Sequence, residues 1–170
     1  MVTFNETLRQ ELLQMRVRDQ EMRIKKYTSG EPLSPEDMAR WTEIDKANTR
    51  RMREIITEHG WPGKSLVGED GLFSAWLLVQ HADKEIDFQK QCLELLRMAV
   101  EAGEASAQNL AYLTDRVRAN EDLPQVYGTQ CHTVNGKVVS KDIEDAEHVD
   151  QRRAAIGLEP VAEYLASMKS

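Results

Sequence analysis

The sequence predicts a mainly α fold: an antiparallel helical bundle with one small β-hairpin and short C-terminal helices. Three observations predict it. Apolar residues recur at helical spacing through much of the chain. Gly and Pro interrupt that pattern at intervals suited to interhelical turns, and one Asn-Gly stands between two β-prone runs. With 170 residues the chain can bury a real core, and it reads as a single domain, 1–170.

Residues 4–27 predict the first helix. Leu8, Leu12, Met15, Asp19, Met22 and Lys26 recur at alternating steps of four and three and trace one stripe. Asp19 lies inside that stripe between Met15 and Met22. A carboxylate there must be hydrogen-bonded, paired or functional, because burying it alone is expensive. The run T-S-G-E-P-L at 28–33 has the length of an interhelical turn.

Ser34-Pro35-Glu36-Asp37 predicts the start of a second helix. Ser caps, Pro suits the first turn, and the two acids favour the positive end of the helix dipole. Its stripe runs Trp41, Asp45, Asn48, Met52, Ile55, His59, of which three are polar. That is unusual for a helix that only packs.

The stretch from Ile55 to Phe88 organises the chain. Gly60, Pro62, Gly63, Gly68 and Gly71 predict a loop, with Asp70 capping the next helix. That third helix is predicted over 71–102. Ala75-Trp76-Leu77-Leu78-Val79 has no polar face, so this helix should be buried on several sides. Helical spacing then places Leu77, His81, Glu85, Phe88, Cys92, Leu95 and Ala99 on one face, with His81 and Glu85 one turn apart. His81 and Asp83 lie where a core helix ordinarily carries apolar residues.

A fourth helix is predicted over 104–118, with Leu110, Leu113 and Val117 inward. Asn135-Gly136 predicts a two-residue hairpin turn between strands near 129–134 and 137–140, because both residues take positive φ readily. Such a hairpin must pack on the helices, since alone it is marginal. A helix over 142–156, stopped by Gly157, and a short one from Pro160 through Ala166 complete the chain.

Composition limits function. Net charge is −7, which argues against nonspecific nucleic-acid binding. Arg50-Arg51-Arg53 is a local basic cluster, but Glu43, Asp45 and Glu54 surround it, and it reads as a solvated helix face. No apolar run is long enough for a membrane span, and the start M-V-T-F-N-E-T-L-R-Q lacks the features of a secretion signal. These point to a cytoplasmic protein with no membrane and no nucleic-acid partner. Cys92 and Cys131 lack metal-type spacing and are expected to be reduced.

The polar residues on inward stripes are Asp19, Asp45, Asn48, His59, His81 and Glu85. One reading is structural, a buried network that fixes helix register. The leading reading is a shared cavity for acid–base chemistry without metal or cofactor, on a small polar metabolite or a modified peptide. His59 and His81 would transfer protons, while Asp19, Asp45 and Glu85 orient them. Asn48, Arg116, Tyr127 and Gln130 would bind substrate, with Arg116 or Arg153 clamping a carboxylate or phosphate. The simpler role for either Arg is a salt bridge, to Asp115 or Asp150. A metal reading places an ion on His81 and Glu85, with His59, Asp19 or Asp45 completing its shell. Against it, no H-E-x-x-H occurs. G-W-P-G-K-S lacks P-loop spacing, and Ser65, Ser74 and Cys92 lack a nucleophile's partner spacing. The competing class is a non-catalytic ligand-binding or protein-interaction module.

H-G-W-P-G-K-S-L-V-G-E-D-G, Q-H-A-D, L-A-Y-L-T-D-R-V, P-Q-V-Y-G-T-Q and V-D-Q-R-R-A-A-I-G-L-E-P occur together here. With these motifs the chain resembles a bacterial family catalogued as a domain of unknown function, from about Arg18-Asp19-Gln20 to Glu163-Tyr164-Leu165. The resemblance implies one domain and brings no established activity.

Overall fold

The computed structural model describes residues 3–29 and 31–168, excluding the side chains of Tyr27 and Ser29. It divides into two compact units, Met1–Ala105 and Ser106–Ser170. The fold is mainly α. Among the described residues the first unit holds α1 (Glu6–Ser29), α2 (Pro35–His59), α3 (Lys64–Gln80) and α4 (Ile86–Glu101). The second holds α5 (Ala107–Asn120), a hairpin of β1 (Cys131–Val134) and β2 (Lys137–Ser140), a 3-10 turn (Ala146–His148), α6 (Val149–Ala155) and α7 (Val161–Ser167). Among the described residues no helix is long and apolar enough to cross a membrane.

The predicted stripe of α1 is its buried face. Leu8, Leu12, Met15, Asp19 and Met22 are all buried, whereas Lys26 is exposed. The helix begins where Asn5 Oδ1 accepts from Leu8 N at 3.0 Å, satisfying a free first-turn donor. Of the predicted break at 28–33, Gly30 lies outside the described residues. Ser34 then caps α2 as predicted, its Oγ accepting from Asp37 N at 3.1 Å, with Pro35 in the first turn.

Ion pairs record how these helices run. Lys25 meets Asp37, Glu21 meets Arg40 and Glu11 meets Arg51, so α2 ascends as α1 descends. Asn5 N donates to Leu66 O, Arg9 pairs with Asp70 and Asp19 reaches His81. Thus α3 runs parallel to α1, and consecutive helices α1, α2 and α3 alternate in direction. Their shared core holds Leu12, Met52, Ile55, Val67, Ala75 and Val79, each fully buried. Burying a side chain of the Leu or Ile class contributes about 1.5–3 kcal/mol.

The predicted helix 71–102 is two helices. The first starts earlier, at Lys64, because Glu104 serves its free N-terminal donors. Lys64 N donates to Glu104 O at 3.0 Å, and Ser65 N to Glu104 Oε2 at 2.8 Å. This packing needs Gly63, where a Cβ would lie 2.8 Å from Glu104 Oε2. Gly68, at φ 70° and ψ 172°, breaks the helical backbone inside this span. Asp70 stands in the first turn of the segment that follows, where its Oδ1 accepts from Gly71 N at 2.9 Å while the carboxylate also pairs with Arg9.

The interruption at 81–85 has an equally local cause. Gln89, fully buried at the start of α4, donates through Nε2 to Val79 O at 3.1 Å and Gln80 O at 3.3 Å. Those carbonyls lie in the last turn of α3, and Val79 O also accepts from Ala82 N at 3.1 Å. His81 and Glu85 thus flank a turn, one closing α3 and the other preceding α4, and share no helical face.

In the second unit, Ser106 caps α5 through Gln108 N and Asn109 N. Asn135 and Gly136 turn the hairpin at φ 49° and 75°, pairing Val134 with Lys137. Residues 142–145, predicted helical, are instead drawn to Gln125. Its N–H donates to Asp142 O at 2.8 Å and its carbonyl accepts from Glu144 N at 2.7 Å.

Candidate functional site

Within the first unit, the buried polar groups converge around Asp19. Its side chain is 1% exposed, and both of its oxygens are engaged. Oδ1 accepts from Arg23 Nη1 at 2.9 Å, while Oδ2 accepts from Gln20 Nε2 at 2.7 Å and from His81 Nδ1–H at 2.8 Å. Arg23 also reaches Asp45, placing Nη2 3.1 and 3.2 Å from its two carboxylate oxygens. Trp41 lies under the Arg23 guanidinium at 5.0 Å, a cation–π contact that holds it between the two acids. Three helices meet here: α1 supplies Asp19 and Arg23, α2 supplies Asp45, and the end of α3 supplies His81.

An ionised carboxylate only accepts, so Asp19 fixes the imidazole with hydrogen on Nδ1 and leaves Nε2 as the basic nitrogen. No protein group among the described residues engages Nε2. The side chain is 16% exposed and lines a cleft of about 730 Å³, together with Asp45, Thr49 and Arg53 of α2 and Asp83 and Glu85 of the turn. The Asp45 carboxyl is raised above its usual range. Burial is the largest cause, opposed by the charge and hydrogen bonds of Arg23 and reinforced by the charge of Asp19.

The remaining candidates are placed differently. Glu85 lines the same cleft but is paired with Arg53 at 2.7 Å. Asn48 is buried and faces another groove, of about 430 Å³, with Met15 and Ile44; its Nδ2 has no hydrogen-bond partner. His59 lies 14 residues beyond Asp45 on α2, about 21 Å along the axis, and its ring is 3.4 Å from Glu58. Among the described residues no three His, Cys, Asp or Glu side chains are grouped to hold a metal ion. Arg23 already supplies the positive charge between Asp19 and Asp45.

Arg116, Tyr127 and Gln130 belong to the second unit, where they join a different network. Arg116 Nη1 donates to Gln130 Oε1 at 2.9 Å, and Gln130 N donates to Gln125 Oε1 at 2.6 Å. Fully buried Asp115 accepts from Val126 N, Tyr127 N, Thr129 N and Thr129 Oγ1, all within 3.2 Å. Arg153, also fully buried, donates to Tyr127 O at 2.8 Å and stacks at 5.0 Å over Tyr164, whose hydroxyl donates to Thr129 O. These contacts hold the backbone of residues 125–130 in place. The Cys131 thiol is pushed up, first by burial, as is the Cys92 thiol, to about 12. Neither is a ready nucleophile.

Arg23 and Gln20 were not among the sequence candidates. Arg23 had a visible signal, since it stands four residues after Asp19 and must share its helical face. Gln20 had none, because its position alone points off the buried stripe.

A family model bearing the description "Family of unknown function (DUF6624)" matches residues 6–170, and the chain belongs to that family. No curated protein and no solved structure matches it.

Proposed function

We propose that this DUF6624 member is a small cytoplasmic bacterial enzyme performing acid–base chemistry on a small polar metabolite or modified peptide, with His81 transferring the proton. One observation carries the reading: buried Asp19 binds His81 Nδ1–H at 2.8 Å, while Nε2 has no partner among the described residues and the ring lines an open cleft. In such a pair the carboxylate holds the productive tautomer and stabilises the imidazolium once the ring has taken a proton. Arg23 and Gln20 keep Asp19 from turning away. Asp45, its carboxyl raised chiefly by burial, lies at the same cleft.

The test is unbiased. Wild type, Asp19→Asn and His81→Gln are incubated with a metabolite and modified-peptide pool, and consumption is followed by mass spectrometry. A positioned acid–base group contributes roughly 10²–10⁴-fold, so both variants should lose turnover on that scale while still folding. Equal turnover in all three would overturn the proton-transfer role. Ligand retention without turnover in wild type would identify a binding module instead.

A further inference from the structure

The chain carries a net charge of −7, yet four basic side chains line the His81 cleft beside its four acids. Lys46, Arg50 and Arg53 of α2 and Lys84 of the turn all line it. Arg53 is committed, since it pairs with Glu85 at 2.7 Å and lies 4.5 Å over the Phe88 ring. Lys46, Arg50 and Lys84 have no ion-pair or hydrogen-bond partner among the described residues. Arg51 shows the contrast: it turns away from this cleft and binds Glu11 and Glu54. The acids at the cleft are largely engaged as well. Asp45 is held by Arg23, Glu85 by Arg53, and Asp83 accepts from Gln89 at 3.4 Å, leaving Glu43. Lys46 and Arg50 stand one turn apart, and like charges at that spacing weaken a helix. Glu43 stands three residues before Lys46 and lines the same cleft, and neither Lys46 nor Arg50 is held in an ion pair with an acid of α2 among the described residues.

We propose that the substrate of the His81 cleft is anionic, a small molecule whose phosphate or carboxylate docks on Lys46, Arg50 and Lys84. The inference rests on the acid–base reading of that cleft and names its substrate class. Lysine supplies mobile point charges, and Arg50 adds a planar fork suited to two oxygens of one oxyanion. Lys46 follows Asp45 in sequence, and Lys84 lies three residues after His81. The anion is thus anchored beside the imidazole, leaving Nε2 for the reacting group. A cleft lined by fixed charge also raises the local concentration of the oppositely charged ligand.

Inorganic phosphate and succinate serve as separate probes on the full chain, titrated by NMR at constant ionic strength while the His81 ring and the Lys84 amide are followed. Saturable shifts at His81 and Lys84 are expected with at least one probe. Phosphate alone would mark a phosphorylated substrate, succinate alone a carboxylated one, and either outcome supports the proposal. Affinity should fall by at least about tenfold in Lys46→Ala/Arg50→Ala and in Lys84→Ala, and fall with added salt. His81→Gln should keep anion affinity, read on Lys84, so failure of the proton-transfer reading leaves this result intact. Absence of saturable shifts with both anions would overturn the proposal. So would shifts that persist unchanged when Lys46→Ala, Arg50→Ala and Lys84→Ala are combined.

Discussion

His81 Nδ1 and Asp19 Oδ2 stand 2.8 Å apart although 62 residues separate them in the chain. The contact exists because α3 runs parallel to α1 and stops at Gln80, which brings the ring level with the middle of α1. The contact predicts a single neutral tautomer. Long-range ¹⁵N spectra of wild type should show hydrogen on Nδ1 and a bare Nε2, and Asp19→Asn should abolish that preference, since an amide can donate as well as accept. Asp19→Ala should cost about 1–3 kcal/mol in denaturant unfolding, because Arg23 keeps Asp45 while the donors of Gln20 and His81 lose their acceptor.

Asp45 predicts a pH signature. Its folded carboxyl is raised, so the folded state keeps a proton where the unfolded chain has released it. That contribution is fully present below the unfolded value and fades as pH rises through the folded one. Asp45→Asn, which does not titrate, should therefore gain stability relative to wild type across that window. Carboxyl ¹³C titration should place Asp45 above ordinary Asp, and Arg23→Met should move it higher still. Glu11, held low chiefly by its hydrogen bond to Arg51, contributes in the opposite sense and is lost as pH falls. An Asp45 midpoint at the ordinary value would refute the burial argument.

How far the sequence could be read depended on distance along the chain. Helical period placed Asp19 between Met15 and Met22, and that was enough to mark it as a buried carboxylate with work to do. Ser34-Pro35 and Asn135-Gly136 were equally legible, because a cap and a two-residue turn are decided within four residues. The break at 81–85 was not, since it depends on Gln89 folding back onto the carbonyls of Val79 and Gln80. The helical period of Leu77, His81, Glu85 and Phe88 ran straight through it. His59 shared a stripe with Asp45, but a stripe fixes direction around a helix and says nothing of the 14 residues of length between them. Asp115 escaped notice because its partners lie 11 to 14 residues ahead, in a loop without a local pattern.

Asp115 should be the most sensitive position of the second unit. It accepts from three backbone N–H groups and one hydroxyl, and it is fully buried. Asp115→Ala strands those donors away from water, at about 1–3 kcal/mol each before relaxation. A loss of about 3 kcal/mol or more is expected, with fast amide exchange at Val126, Tyr127 and Thr129. Asp115→Asn keeps one acceptor oxygen and should fall between. Wild-type stability and protection in Asp115→Ala would show that Gln125, Arg152, Arg153 and Tyr164 hold the loop without it.

Two substitutions at His81 separate a reacting group from a packing group. Gln keeps a donor that can reach Asp19, so His81→Gln should stay within about 1 kcal/mol of wild type in thermal or denaturant unfolding. It has no proton to exchange near neutral pH, so turnover should collapse. His81→Leu removes the donor, but Asp19 Oδ2 still holds Gln20 at 2.7 Å and Oδ1 still holds Arg23 at 2.9 Å. Its cost should therefore be about 1–3 kcal/mol, the cost of one lost partner and not of a stranded charge. The two variants are expected to differ in stability and agree in inactivity. Full turnover in both would sink the proton-transfer role. A large and similar stability loss in both would instead make the ring a brace between α1 and α3, because only a shape-dependent packing role is lost equally with a polar and an apolar replacement.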